Sequence, residues 1–159
     1  MKIRVGFGYD VHRLAEGYDF TLGGLLIPHH KGSVGHSDGD TLIHAICDAL
    51  LGAANLRDIG FHFPDTSAKL KGIDSKLILK DTLALIKEKG YSIGNIDATI
   101  ALQQPKIKDY IPPMQQVLAQ TLEISPDDIA IKATTTEKLG FEGREEGVSA
   151  YAVVLIEKQ

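Results

Sequence analysis

Apolar and polar positions alternate from the start of the chain. Ile3, Val5, Phe7 and Tyr9 fall on one side of an extended segment, and Lys2, Arg4, Gly6, Gly8, Asp10 and His12 on the other. A hairpin is expected around Phe20 to Pro28, with Gly23-Gly24 as its turn. The polar, glycine-rich stretch GSVGHSDGD follows, and its last acids are placed to cap a helix from about Thr41 to Ala54. At 100° per residue the buried stripe of that helix is Leu42, Ile43, Ile46, Ala49, Leu50 and Ala53. His44 then falls nearly opposite the stripe, near Asp40, Asp48 and Leu51, on an accessible helix back.

Residues 57–74 hold no sustained period and many turn formers, the mark of a long functional or mobile loop. Ser75 is placed to cap a second helix with Ile78, Leu79, Leu83 and Ile86 on its apolar side, ending at Gly90. A strand is expected from Ser92 to Leu102, broken by QQPK. Pro112 and Pro113 suit the first turn of a third helix carrying Met114, Val117, Leu118 and Leu122. A strand from Ile129 towards Thr135, the turn-rich EKLGFEGREEG and a strand near Val148 to Ile156 close the chain. This order predicts an α+β fold, a mixed β-sheet covered on one face by helices, in a single domain over 1–159. The last strand is apolar at both parities, with Tyr151, Val153 and Leu155 between Ala150, Ala152, Val154 and Ile156. Helices on one side cannot cover both faces, so an oligomer is expected.

Composition adds constraints. A chain of 159 residues, 43% apolar and 24% charged, can bury a core without disulfide or structural metal. The net charge of −4 with scattered Lys and Arg indicates neither a nucleic-acid nor a membrane surface. Cys47 is alone, which fits a reducing compartment. With no leader-like N-terminal segment and no long apolar run, a cytoplasmic location is expected, although a plastid protein trimmed of its transit peptide would look the same.

The candidate chemistry lies in three places. Asp10 and His12, two apart on a strand, project from one side, and with His44 they supply one carboxylate and two imidazoles. That set suits Zn²⁺ with its fourth position open. A D-x-H pair also arises by chance and a lone helical His is commonly a plain surface residue, so on spacing alone both readings stand. HSDGD offers His36, Ser37 and loop amides next to a helix N-terminus, an anion-friendly place, or else a simple capping loop ending in Asp40. KATTTEK sets Thr134, Thr135, Thr136 and Glu137 at a strand end, where hydroxyls and an acid suit a phosphate-bound divalent ion, although Thr runs also serve strands by β-propensity. Lys106 in QPK either meets a phosphate or sits in a plain turn.

Taken in order, YDVH, HSDGD, LIHAICDALLGAA, DIGFHFPDT, QQPK, IKATTTEKLGF and GREEG resemble the 2-C-methyl-D-erythritol 2,4-cyclodiphosphate synthase family of the non-mevalonate isoprenoid pathway, nearly from end to end. The resemblance implies a homotrimer with three active sites between neighbouring subunits. It implies conversion of 4-diphosphocytidyl-2-C-methyl-D-erythritol 2-phosphate to the 2,4-cyclodiphosphate with release of CMP. By the same resemblance Asp10, His12 and His44 hold Zn²⁺, and Glu137 helps hold a second divalent ion, Mg²⁺ or Mn²⁺, on the diphosphate. His36 and Thr135 would be the donors to the reacting phosphate, with Ser37 and Lys106 on phosphates. Asp58, Gly60, Phe63 and Asp65 would lie about the erythritol portion, Asp65 in a lid. The segment from Leu102 to Lys108, with Gln103, Gln104, Pro105 and Lys106 foremost, would form the cytidine pocket with Thr134 to Glu137, Thr136 included, largely through backbone groups. Phe141 and Arg144 match positions lining the trimer's central channel, where some members bind an isoprenoid diphosphate; Tyr151 stands where certain members have an acid. Two rivals stay open at this point: a zinc-dependent nucleotide-diphosphate hydrolase giving a linear product, and a non-catalytic trimer that binds isoprenoid diphosphates.

Overall fold

The computed structural model describes residues 1–159. Its strands are β1 (Ile3–Glu16), β2 (Phe20–Leu22), β3 (Leu25–Ile27), β4 (Lys31–Val34), β5 (Tyr91–Ala101), β6 (Ile129–Thr134) and β7 (Gly147–Lys158). The helices are α1 (Thr41–Ala53), α2 (Ile59–His62), α3 (Ser75–Glu88), α4 (Ile111–Leu122) and α5 (Gly140–Gly143). Five strands form one mixed sheet in the order β4-β1-β7-β5-β6, and β2-β3 form a separate hairpin. Only β5 and β6 run parallel. The α+β expectation holds. No helix is long and apolar enough to cross a membrane.

The sheet and helix α1 meet through small residues. A Cβ on Gly8 would lie 1.9 Å from the Ala45 carbonyl oxygen, and one on Gly6 1.9 Å from that of Ala49. Only glycine lets the helix backbone come this close to a strand. Two strand residues advance about 6.7 Å and four helix residues about 6.0 Å, so strand and helix stay nearly in step. Beyond Gly8, the next two positions on the same side of β1 are Asp10 and His12, which meet His44 and Thr41 of the helix. A packing seam thus fixes where the candidate ligands come together.

One feature of this arrangement lies outside the alternation pattern, and another corrects an expectation. The apolar side of β1 does not face the helices: Ile3, Val5, Phe7, Tyr9 and Val11 are exposed, from 42% at Tyr9 to 65% at Val5. Glycine makes the helix-facing side, which alternation alone cannot weigh against a row of large apolar residues. The back of α1 is also not open. Cys47 and Leu51 are fully buried with the predicted stripe, because α1 sits between the sheet and α3. Burial pushes the Cys47 thiol up to about 12, which leaves it an inert packing residue.

Other elements follow the pattern with adjusted ends. Gly23-Gly24 turn the β2-β3 hairpin as expected. β1 runs on to Glu16 and pairs with β4, a strand hidden in the sequence because Lys31–Val34 is short and half glycine and serine. The 57–74 segment contains the single-turn helix α2 and a short 3₁₀ turn at Ala68–Leu70. Asp74, not Ser75, caps α3 by accepting from the Lys76 amide; Ser75 is its first residue. A cluster of 34 buried apolar residues lies between the sheet and α1, α3 and α4. On the opposite side of the sheet, Phe7, Tyr9, Tyr151 and Val153 form an uncovered apolar surface, with the Tyr9 and Tyr151 rings 5.1 Å apart.

Candidate active site

Asp10, His12 and His44 converge at the end of the glycine seam. One carboxylate oxygen of Asp10 lies 3.0 Å from His12 Nδ1 and 3.2 Å from His44 Nδ1. One ligand atom from each residue falls within 4.8 Å of the others. A tetrahedral ion with ligands at about 2.0–2.2 Å holds them roughly 3.3–3.5 Å apart. The donor set therefore fits a divalent cation in chemistry, and its two Asp10–His distances need only a small outward adjustment.

The electrostatics fit as well. Burial works to raise the Asp10 carboxyl, but hydrogen bonds from His12 and His44 prevail and hold it below its ordinary 3.8. For His44 burial works to lower the ring, and its bond to Asp10 turns the balance upward from 6.5. A carboxylate kept ionised beside two imidazoles is a donor set that could hold a divalent cation once the ring proton is displaced. His44 is not at a free surface; its side chain is only 12% exposed, at the wall of a cavity.

That cavity, about 520 Å³, is lined by Asp10, His12, His36, Ser37, His44, Gly60, Phe63 and Asp65 among others. Eight of the residues singled out in the sequence thus share one space. His36 is held by its Nε2, which donates to the Ser67 carbonyl at 2.8 Å, and its own carbonyl accepts from the Gly72 amide. The 61–74 segment is thereby tied across the mouth of the HSDGD loop. Asp58 does not line this cavity. It caps α2, accepting from the Phe61 amide at 3.3 Å.

The second group lies elsewhere. Leu102, Pro105, Lys106 and Thr135 line a separate cavity of about 300 Å³ with Ile107, Lys108, Ile111 and Ala133. Gln103 accepts from the Lys138 amide at 3.2 Å, and the Gln104–Pro105 peptide is cis. Glu137 and Lys138 both take left-handed backbone conformations, φ 54° and 63°. Outside glycine such conformations cost energy and are held by surrounding contacts. Here Gly143 supplies one, packing where its Cβ would strike the Lys138 backbone at 2.2 Å. Gln103, Gln104, Thr134, Thr136 and Glu137 do not line either of these two cavities. The structure does not bring His36 and Thr135 together within one chain. Across the sheet Val11 pairs with Ser149, Ser149 with Ala101, and Ala101 with Thr134. Three interstrand gaps, roughly 14 Å, separate the two groups at the same end of the sheet.

Phe141 lines a third cavity with Arg13, Lys31 and Glu146, and Arg144 pairs with Glu146 at 2.9 Å. Sequence reasoning missed Asp38, Thr41, Asp48 and Ser75. Thr41 Oγ1 lies 3.2 Å from His12 Nδ1, and Asp48 accepts from the Ile59 amide at 2.7 Å, fixing α2 beside α1. Asp38 and Ser75 stand behind His44. Short polar residues next to a ligand were the only signal, and hydrophobic patterning does not register them.

A family model described as the YgbB family matches residues 3–157. A protein of Bacteroides fragilis named 2-C-methyl-D-erythritol 2,4-cyclodiphosphate synthase is 66% identical over 99% of both chains. One of the same name from Cytophaga hutchinsonii is 59% identical over 99% of both. Among solved structures, the bifunctional IspDF of Campylobacter jejuni superposes with a TM-score of 0.96 at 42% identity, over 99% of this chain and 43% of that longer one. A 2C-methyl-D-erythritol-2,4-cyclodiphosphate synthase in its CDP-bound form gives 0.89 at 36% identity, over 97% and 100%. The CDP complex of Plasmodium falciparum IspF gives 0.86 at 34% identity, over 99% and 97%.

Proposed function

The chain belongs to the YgbB family, and from that premise we propose that it is a 2-C-methyl-D-erythritol 2,4-cyclodiphosphate synthase acting as a homotrimer. Its substrate is 4-diphosphocytidyl-2-C-methyl-D-erythritol 2-phosphate. An oxygen of the 2-phosphate bonds to the β-phosphorus, the bond from that phosphorus to the bridging oxygen breaks, and CMP leaves with that oxygen. The observation that carries the reading is the Asp10–His12–His44 set opening into one cavity with His36 and Ser37.

The metal reading names Zn²⁺ on Asp10, His12 and His44, and a second divalent ion, Mg²⁺ or Mn²⁺, at Glu137. When bound, the two ions supply Lewis acidity and charge neutralisation to the phosphates. The remaining work is positional, because nucleophile and electrophile already belong to one molecule and must be bent together. His36 and Thr135 donate hydrogen bonds to the reacting phosphate, and Ser37 and Lys106 hold phosphate oxygens. Asp58 and Asp65, with Gly60 and Phe63, hold the erythritol portion and exclude water. Leu102 to Lys106, with Thr134, Thr136 and Glu137, take the cytidine.

Residues 1–159 form one domain in this reading, and the site is assembled between subunits. Two observations support that. The proposed metal residues line one cavity and Leu102, Pro105 and Lys106 of the cytidine set another in the same chain, and the sheet carries an uncovered apolar face suited to burial against other copies.

The test is phosphorus NMR of the protein with the substrate and Mg²⁺. Stoichiometric CMP with a cyclic diphosphate is expected. CMP with only a linear diphosphate would make the protein a hydrolase, and no turnover by zinc-loaded protein would remove catalysis altogether.

A further inference from the structure

Behind His44, away from Asp10, runs a chain of short hydrogen bonds. His44 Nε2 lies 2.9 Å from Ser75 Oγ, and Ser75 Oγ lies 2.5 Å from Asp38 Oδ1. Asp38 also accepts from the Ser75 amide through Oδ2 at 3.0 Å and from the Asp40 amide through Oδ1 at 3.1 Å. Ser37 Oγ, 3.2 Å from His44 Nε2, accepts from the Gly39 amide. Ser75 is fully buried, so its hydroxyl has no water to turn to.

The donor directions follow from what each group can do. An ionised carboxylate only accepts, and a serine hydroxyl has one proton. That proton is committed to Asp38, so Ser75 Oγ faces His44 as an acceptor and Nε2 must carry a hydrogen. Nδ1, which faces Asp10 at 3.2 Å, is then the ring atom whose proton a metal ion can displace and whose lone pair it takes. We propose that Ser75 and Asp38 are positioning residues which fix the tautomer and ring orientation of His44, so that Nδ1 is the atom presented to the metal. This rests on the reading of Asp10, His12 and His44 as metal ligands. It adds a reason for the HSDGD loop beyond phosphate contact. Asp38 grips the first residue of α3, so the end of the 57–74 segment is coupled to a metal ligand on α1.

Partners of this kind raise ligand basicity, and their loss typically lowers metal affinity by about 10- to 100-fold. The experiment is long-range proton–nitrogen NMR of the zinc-loaded protein, with zinc titrations of the wild type, Ser75→Ala and Asp38→Asn. The expected result is a proton on His44 Nε2 and the metal on Nδ1, with Ser75→Ala weakening zinc about 10- to 100-fold. Asp38→Asn, which exchanges one acceptor for a donor, should weaken zinc in the same direction. Thermal unfolding of the metal-free variants separates this from general loss of structure. A metal on Nε2, or zinc bound to Ser75→Ala as tightly as to the wild type, would overturn the proposal. Should Ser75→Ala not fold, the position of the proton in the wild type and in Asp38→Asn decides. A wild-type protein that binds no zinc would remove the metal reading itself, and this inference with it.

Discussion

Asp10 faces two imidazoles with one oxygen, and this has a consequence before any metal arrives. Its carboxyl is held below 3.8, so its contribution to stability is present above that value and lost as pH falls through the lowered folded one. His44 is held above 6.5, so its contribution is complete below that value and lost as pH rises through the raised folded one. The two windows overlap between 3.8 and 6.5. In metal-free protein, the difference in Tm between wild type and Asp10→Asn should therefore be largest there and shrink on both sides. A difference that grows above neutral pH would contradict the ion-pair account. Saturating zinc should reverse the trend, since binding displaces the His44 proton and strengthens as pH rises.

At the scale of elements, the site depends on how α1 begins. Asp40 caps it, accepting from the Ile43 amide at 3.0 Å and from the Gly23 and Gly24 amides at 2.9 and 2.7 Å. One buried carboxylate thus joins the helix to the β2-β3 hairpin. Burial pushes this carboxyl upward against the amides that favour its charge. Asp40→Ala would leave those amides without their acceptor and remove a cap. The expected loss is about 3–5 kcal/mol in denaturant unfolding, from the usual penalty for unpaired buried donors. A loss under about 1 kcal/mol would mean the amides find other partners. Asp40 as cap was legible in the sequence, because its position ahead of an apolar period is a local fact. Its hold on Gly23 and Gly24, 17 and 16 residues away, is tertiary and left no pattern. The same distinction explains His44: the period of α1 placed it off the main stripe, but which side of β1 met the helix was decided by two glycines. Asp10 and His12 were legible as a pair because strand alternation alone puts them on one side. Ser75 and Asp38 were not, because their roles appear only once α3 is folded against the HSDGD loop.

At the scale of the whole molecule, the two groups of candidate residues are each well formed and lie apart. The metal set sits over the seam of β1 and α1, and the residues from 102–106 and 134–137 sit at the ends of β5 and β6. On the side of the sheet away from the helices, β1 and β7 leave Val5, Phe7, Tyr9, Tyr151 and Val153 exposed. The doubly apolar last strand foretold an uncovered face in the sequence, although the geometry of assembly is not written in alternation. The central claim is that one catalytic site takes its metal ligands from one subunit and its cytidine contacts from the next. Co-expressing His44→Ala with Glu137→Ala chains and assaying CMP release tests it most directly. Each variant alone should be inactive, and mixed trimers should recover about one quarter of wild-type activity per site, since random assortment pairs an intact His44 with an intact Glu137 that often. Activity no higher than that of the separate variants, in trimers shown to contain both chains, would contradict the account and place the whole site within a single subunit.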